Sequence, residues 1–411
     1  MSGTPAAARG EAGSRPPSGW AVTAVLASLA MIGPFTIDTV FPGFQAIGEQ
    51  LGGDTAALQQ VTSVYLLTFA VMSVLHGPLS DALGRKPVML GGIAGYVVAS
   101  AACALAPTLG WLLVARAAQG LFAGAATIVS RAVIRDLYSG AQAQRLMSQV
   151  MMIFAIAPAV APVIGGWLLL VGPWRGIFWF VGAYGVVVAL ATARVLPETL
   201  PPDARQPLRV GALLSGLWLV ARSWRFERLA LATTFTFSAY IFYVLSAPIV
   251  VVDLLGLGEQ DFWILFVPMI GGMVVGSWIT GRAAGRVDAD VLVDRTLVLV
   301  LLSAAANVAV VLVTPHPGWV VVGPSLIGVG IGIVFPVLQL ALLDLFPHHR
   351  GAAASMSAFA VLICNALVAG VVAPLVTTTL LSAALTSAGF AVTGALLWVW
   401  HRAATRGAAA A

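Results

Sequence analysis

Charge is what this sequence has least of. Its 411 residues include 21 Lys and Arg and 16 Asp and Glu, 9% of the chain, against roughly 25% in soluble domains. Only one lysine occurs, Lys86, and the arginines are scattered singly or in pairs. The net charge of +5 therefore forms no basic run of the kind that grips nucleic acid, and nucleic-acid binding is excluded. Cysteine is equally scarce. Cys103 and Cys364 both sit in apolar runs, so no disulfide framework or thiolate metal site is available, and both read as small buried hydrophobes. Five dispersed histidines give no zinc spacing. Hydrophobic residues make up 60% of the chain. A soluble protein cannot cover that much apolar surface with polar atoms. An ordinary soluble enzyme is excluded on composition alone.

A span needs about 20 apolar residues, and the apolar total suffices for roughly twelve. Twelve runs are separated by charged or Pro/Gly breaks, at about 20–42, 57–79, 87–107, 109–131, 145–171, 174–196, 227–250, 261–281, 291–314, 318–344, 352–376 and 380–401. Backbone polar groups find no water in hydrocarbon, so these runs must be helices. Period-two alternation, the mark of a barrel strand, is absent. The first run is too long for a signal peptide core and contains Pro34 and Asp38, which suits a retained helix. Residues 1–19 are rich in Pro, Gly, Ala and Ser and read as a disordered tail.

The few charges fix an orientation. With the N-terminus inside, nineteen of the 21 positive residues fall in inside loops and tails. Arg175 alone lies outside, and Arg116 is left within a span. Outside loops carry Glu49, Asp54, Asp253, Glu259 and Asp261. This asymmetry predicts a multi-pass protein with both termini cytoplasmic.

The longest polar break, at 196–228, carries Pro197, Pro201, Pro202 and Pro207. It divides the chain into a six-helix bundle at 20–196, a cytoplasmic linker at 197–226 and a second bundle at 227–402, with a tail at 403–411. Val210 to Val220 within the linker is apolar, and either lies on the membrane surface or packs as a covered linker helix. The halves echo each other. Asp81-Ala-Leu-Gly84-Arg85 after the second run answers Arg282-Ala-Ala-Gly285-Arg286 after the eighth. Asp136-Leu137-Tyr138 with Met147-Ser148 answers Asp344-Leu345-Phe346 with Met356-Ser357. Duplicated units of this kind place a substrate near the midplane, between the halves.

At this point the chain resembles the major facilitator superfamily. Gly77-Pro-Leu-Ser-Asp81-Ala-Leu-Gly84-Arg85-Lys86-Pro87 is similar to that family's loop between spans two and three, and Arg116-Ala-Ala-Gln119-Gly120 to its fourth-span arginine motif. Ala157-Pro158-Ala-Val-Ala161-Pro162-Val-Ile-Gly165-Gly166 resembles the fifth-span motif of antiporters, with Ala161 where many members have Gly. Gly33 to Pro42, Arg135-Asp136-Leu137-Tyr138, Leu196-Pro197-Glu198-Thr199-Leu200 and Ser246-Ala247-Pro248 resemble the Bcr/CflA branch of drug:proton antiporters. The resemblance covers about 32–375. It implies an all-α integral membrane protein of twelve helices in two bundles, in the bacterial inner membrane, exporting drugs or small amphipathic compounds in exchange for protons.

Asp38 is the leading candidate for proton coupling. An ionised carboxylate inside a span costs about 2.5–3.5 kcal/mol, so a carboxyl there readily trades its charge for a proton. The alternative is a helix-end residue facing outside water. Arg116 is the one base well inside a span. It is expected to tune Asp38 or to hold backbone carbonyls of span one, the alternative being packing of the first bundle alone. Gly77, Asp81, Gly84, Arg85 and Lys86 are expected to form a conformational gate; the resemblance implies that they latch the outward-facing state. Pro158, Pro162, Gly165 and Gly166 are expected to bend span five and pack it near Gly271, Gly272 and Gly276 of span eight.

Substrate candidates are Phe35, Tyr65, Phe69, Tyr240, Tyr243, Phe266, Phe335 and Gln339, with Phe242, Asn307 and Asn365 as further in-span side chains. Drug-sized pockets are apolar with a few oriented polar groups. Expected partners are a small-molecule substrate, protons and the lipid bilayer, with the chain acting as a monomer and no cofactor or metal. A second reading is export of one metabolite, such as an amino acid or nucleoside. A membrane-embedded enzyme is remote, since no in-span pairing of nucleophile and base is visible.

Overall fold

The computed structural model describes residues 19–410 apart from 139, 206–209, 284–285, 315 and 348. Gly285 of the internal echo, and all of the N-terminal tail except Gly19, lie outside the described residues. The described chain is helical, with no strand among the described residues. The spans are one Gly19–Asp38, two Thr55–Leu83, three Arg85–Ala104, four Leu109–Leu137, five Gly140–Val171 and six Arg175–Val195. After a linker helix, Val210–Ala221, come seven Trp224–Leu245, eight Trp263–Ala283, nine Ala289–Val313, ten Val322–Asp344, eleven Arg350–Leu367 and twelve Leu380–Ala410.

Eleven helices among the described residues are long and apolar enough to cross a membrane. Span five is the twelfth. Its helix has 32 residues, Gly140–Val171, with polar Gln142, Gln144, Arg145 and Ser148 in its first turns and an uncharged run from Val150 to Val171. Several boundaries differ from the sequence reading. Span one stops at Asp38, and Phe41–Gly43 with its Pro42 turns the chain into a short helix, Phe44–Leu51. Span seven ends at Leu245 and passes through a π-helical segment, Ile249–Leu254. Span eleven likewise continues as a π-helix, Val368–Val372. The last helix runs on to Ala410, through most of the segment expected as a tail.

Helix starts are set locally. Asp54 accepts from the Ala57 amide (2.8 Å) at span two and Thr108 from Trp111 (3.2 Å) at span four. Ser223 accepts from Phe226 (3.4 Å) at span seven and Asp288 from Val291 (3.2 Å) at span nine. Each satisfies an amide that the helix cannot.

Helices pack mainly within each half: two, three and four together, and eight, nine and ten together, with seven against twelve. Gly272 and Gly276 lie so close to span ten that a β-carbon would overlap the Ser325 and Val329 carbonyls. Gly332 meets Met273 in the same way. Here the sequence reading is corrected. These glycines serve the crossing of eight with ten inside the second half rather than packing on span five, and Gly271 meets nothing within 4 Å. Small residues one turn apart on both helices permit that approach.

The halves meet at the arginine-poor end. Gln60 donates to the Gly370 carbonyl (2.7 Å) and Ser63 to the Ala366 carbonyl (2.8 Å), tying span two to span eleven. Gly370 has no side chain to keep span two away; a β-carbon there would collide with Ser63. Phe41 faces Phe266 at 6.4 Å between ring centroids. Gly166 of span five sits beneath the Glu259 carbonyl, where a β-carbon would stand 2.8 Å from the oxygen. Both hydrogen bonds that cross between the halves among the described residues lie at this end. At the arginine-rich end spans four and ten do not pack closely among the described residues.

Gly276→Val forces a side chain into a backbone carbonyl, whereas Gly281→Val on the same helix enters open space. Size-exclusion profiles of the solubilised variants should show loss of the folded peak for the first and a normal peak for the second.

Candidate functional site

Asp38 ends span one and is 3% exposed. Thr39 closes the helix by donating its amide and its hydroxyl to the Phe35 carbonyl (3.2 and 2.5 Å). The carboxylate has no ion pair among the described residues. Two tyrosines lie within its electrostatic reach, Tyr65 of span two and Tyr240 of span seven. One comes from each half, so Asp38 stands at the junction between them and not in outside water.

Arg116 of span four is fully buried. Its Nε donates to the Val61 carbonyl (2.9 Å), and one Nη donates to Gln119 Oε1 (2.7 Å) and, more weakly, to the Thr36 carbonyl (3.5 Å). The guanidinium lies over the Tyr65 ring at 4.5 Å and near Phe178 at 5.9 Å. Gln119 passes the chain on to Ser100 (2.8 Å), and Thr36 shares a hydrogen bond with Tyr96 (2.6 Å). Spans one, two, three and four are thereby tied to one planar cation. Arg116 and Asp38 do not form an ion pair. They are linked through Tyr65, which lies beneath the first and beside the second, and whose hydroxyl donates to the Gly33 carbonyl (3.3 Å).

The gate residues form a compact cluster at the arginine-rich end. Arg85 pairs with Asp81 (2.5 Å) and Asp136 (3.0 Å) and donates to Ser80 (2.6 Å). Gly84 adopts φ +104°, a conformation that suits glycine alone, and a β-carbon there would strike Glu198 and Arg205. Glu198 accepts from the Arg85 and Lys86 amides (3.0 and 3.2 Å) and so caps the positive end of span three. Lys86 donates to the Ala193 carbonyl (2.7 Å), and Thr199 to Asp136 (2.9 Å). Gly77 meets nothing within 4 Å. Every one of these contacts stays within the first half and its linker. The carboxylate at the helix N-terminus is Glu198, and Asp81 is engaged by Arg85 instead.

The antiporter stretch divides its contacts. Pro158 and Pro162 lie inside the helix of span five. Gly165 packs on the Thr39 carbonyl of the adjoining turn, while Gly166 reaches across to Glu259.

The aromatic candidates separate into two groups. Tyr65 and Phe69 stack at 6.1 Å in the first half, and Tyr240, Phe237 and Phe335 form a second row in the second half, with 6.3 and 4.6 Å between successive ring centroids. Phe335 was expected; its partner Phe237 was not. Three expected pocket residues lie elsewhere. Tyr243 accepts from Asn307 of span nine (2.7 Å) and meets Phe242 edge-on, which turns it into its own half. Phe35 packs on Phe180 and Tyr184 of span six. Phe266 belongs to the aromatic seal with Phe41 and Phe262. Gln339 accepts from Ser357 (3.0 Å) between spans ten and eleven. Asn365 is 7% exposed with its Oδ1 unpartnered among the described residues.

Sequence reasoning missed Thr36, Tyr96, Ser100, Gln119 and Gln59. Gln119 was in plain view within the arginine motif. Gln59 is fully buried with neither amide atom bonded to a described residue; nothing in a single sequence tells it apart from the adjoining Gln60.

Arg116→Lys keeps the charge and loses the fork. It should lower the melting temperature of the purified protein by several degrees and reduce efflux at least about tenfold, since a buried cation stripped of its hydrogen bonds costs on the order of 3 kcal/mol. An unchanged melt and unchanged efflux would remove its positioning role. Glu198→Ala leaves two amides uncapped and should cost about 1–2 kcal/mol, measurable as a lower denaturation midpoint.

The sequence matches the Major Facilitator Superfamily over residues 24–374. It is 29% identical over 86% of its length to an uncharacterized MFS-type transporter, YdgK, of Bacillus subtilis, covering 88% of that protein. It is 27% identical to a bicyclomycin resistance protein homolog of Haemophilus influenzae, over 68% of this chain and 70% of that one. It is 28% identical to the multidrug resistance protein MdtL of Escherichia coli, over 80% and 82%. Among solved structures, a D-xylose–proton symporter superposes with a TM-score of 0.73 at 14% identity, over 92% of this chain and 97% of that one. An inward-facing, unoccupied bacterial homolog of the lysosomal transporter Spinster gives 0.71 at 16%, over 96% and 98%.

Proposed function

The chain belongs to the Major Facilitator Superfamily, and from that premise we propose that it exports drugs or small amphipathic compounds in exchange for protons by alternating access. It is a multi-pass membrane transporter and not an enzyme. The observation that carries the exchange reading is Asp38, buried at the end of span one with a tyrosine from each half within its electrostatic reach. The relatives named for bicyclomycin and multidrug resistance favour drugs over a single dedicated metabolite as cargo.

The arginine-rich end is assigned to the cytoplasm of a bacterial cell and both termini with it, on the positive-inside rule. The end sealed by Gln60, Ser63, Phe41 and Phe266 then faces outward, and the arrangement is inward-facing. In this state Asp38 gives its proton to the cytoplasm, and cargo enters between Tyr65, Phe69, Tyr240, Phe237 and Phe335. Opening outward breaks the bonds to the Gly370 and Ala366 carbonyls. A proton from outside then reprotonates Asp38 and displaces the cargo. Each proton moving inward supplies about 2.3 kcal/mol per 100 mV of membrane potential. Arg116 holds Tyr65 and the end of span one in register for this exchange. The Asp81–Arg85–Asp136 cluster, engaged here within the first half alone, is the part free to latch the opposite state. The transporter acts as a monomer.

The deciding measurement is drug-dependent proton release from purified protein. Wild type should release protons on adding drug, while Asp38→Asn should release none and lose pH-driven efflux in reconstituted vesicles. Full efflux by the Asn variant would end the coupling role of Asp38.

A further inference from the structure

The arginine-rich end of the second half holds charges that the transport cycle does not use. There the start of span seven packs against the end of span twelve. Three arginines, Arg225, Arg228 and Arg402, fall within electrostatic reach of His401, together with one carboxylate, Asp290. The acids are already committed. Arg402 pairs with Asp290 and, at 3.4 Å, with Asp294, and Asp294 also accepts from the Trp398 indole (2.6 Å). Arg225 and Arg228 form no ion pair among the described residues, and the adjacent Glu227 pairs with neither. Arg228 lies 5.4 Å from the Trp400 ring, and its Nε is buried without a hydrogen-bond partner. The buried imidazole of His401 likewise has an unpartnered Nδ1.

The surroundings specify a lipid. Trp224 opens span seven at 72% exposure and Trp400 stands at 49% near the end of span twelve, the depth at which indoles mark the membrane interface. Leu231, Leu396 and Val399 expose apolar surface on the same two helices, on the side of the hydrocarbon. A phosphate accepts paired hydrogen bonds from guanidinium, and basic clusters at this level of a bundle bind anionic headgroups. We propose that Arg225 and Arg228, flanked by Trp224 and Trp400, bind the phosphate headgroup of an anionic phospholipid at the seven–twelve seam. The acyl chains lie along Leu231, Leu396 and Val399. The bound phosphate gives Arg228 Nε the acceptor it lacks and offsets the charges of Arg225 and Arg228, which no described acid pairs with.

The test uses full-length protein in nanodiscs of phosphatidylcholine alone or mixed with phosphatidylglycerol. Wild type should melt several degrees higher in the mixed discs and retain phosphatidylglycerol in native mass spectrometry. Arg225→Gln with Arg228→Gln should lose most of that increment while melting normally in phosphatidylcholine, and the corresponding double lysine variant should keep much of it. Should the double glutamine variant not fold, Arg225→Gln alone, at an exposed and unpaired position, should lose a measurable part of the increment. An increment that survives in the glutamine variants, or is absent in wild type, overturns the site. So does an equal increment from glycerol phosphate added to phosphatidylcholine discs, which would show that a free anion suffices.

Discussion

A permanent cation fixed in hydrocarbon has to be satisfied by protein, because no water is there to do it. Arg116 imposes that constraint on the first half. Its Nε and one Nη are met by carbonyls and an amide and not by a carboxylate: Val61 of span two, Gln119 of its own helix and Thr36 of span one, with Tyr65 beneath it and the second Nη without a partner among the described residues. Because the acceptors are mostly backbone, the charge is solvated without being neutralised. Asp38 is left without an ion pair among the described residues, whereas a direct Arg–Asp pair would hold it ionised.

The two halves divide the labour. Among the described residues the first half carries the buried carboxylate and guanidinium. The second carries in-span amides and hydroxyls, such as Asn307 on Tyr243 and Ser387 on the Ala239 carbonyl (2.7 Å). Its cohesion comes from backbone approach at Gly272, Gly276 and Gly332. Tyr240 is the tyrosine of the second half that falls within electrostatic reach of the acid of the first.

Much of this was legible in the sequence, since a span and a misplaced charge are both one-dimensional signals. The apolar runs located the helices, and Asp38 and Arg116 stood out where charge is expensive. What escaped was direction. Tyr243 and Tyr240 differ by three residues on one helix, yet only Tyr240 reaches Asp38, because Asn307 from span nine claims the other. Gly271, Gly272 and Gly276 were read together as the surface of span eight facing span five, but the partner of Gly272 and Gly276 is chosen by matching glycines in span ten, which spacing in span eight does not reveal. Glu198 stood within a recognised stretch, and its task at the start of span three depends on the chain folding back over more than a hundred residues. Arg225 and Arg228 looked like ordinary positive-inside anchors until the acids near them proved to be engaged elsewhere.

The seal between spans two and eleven has an evolutionary corollary. Both donors, Gln60 and Ser63, are side chains, and both acceptors are main-chain carbonyls. Span eleven can therefore change almost any of its side chains without losing an acceptor, provided nothing bulkier than glycine arises at 370. Span two has no such latitude, because replacing either donor deletes a bond outright. The lineage of this transporter is free to rewrite one wall of this closure while the facing wall stays written in two residues.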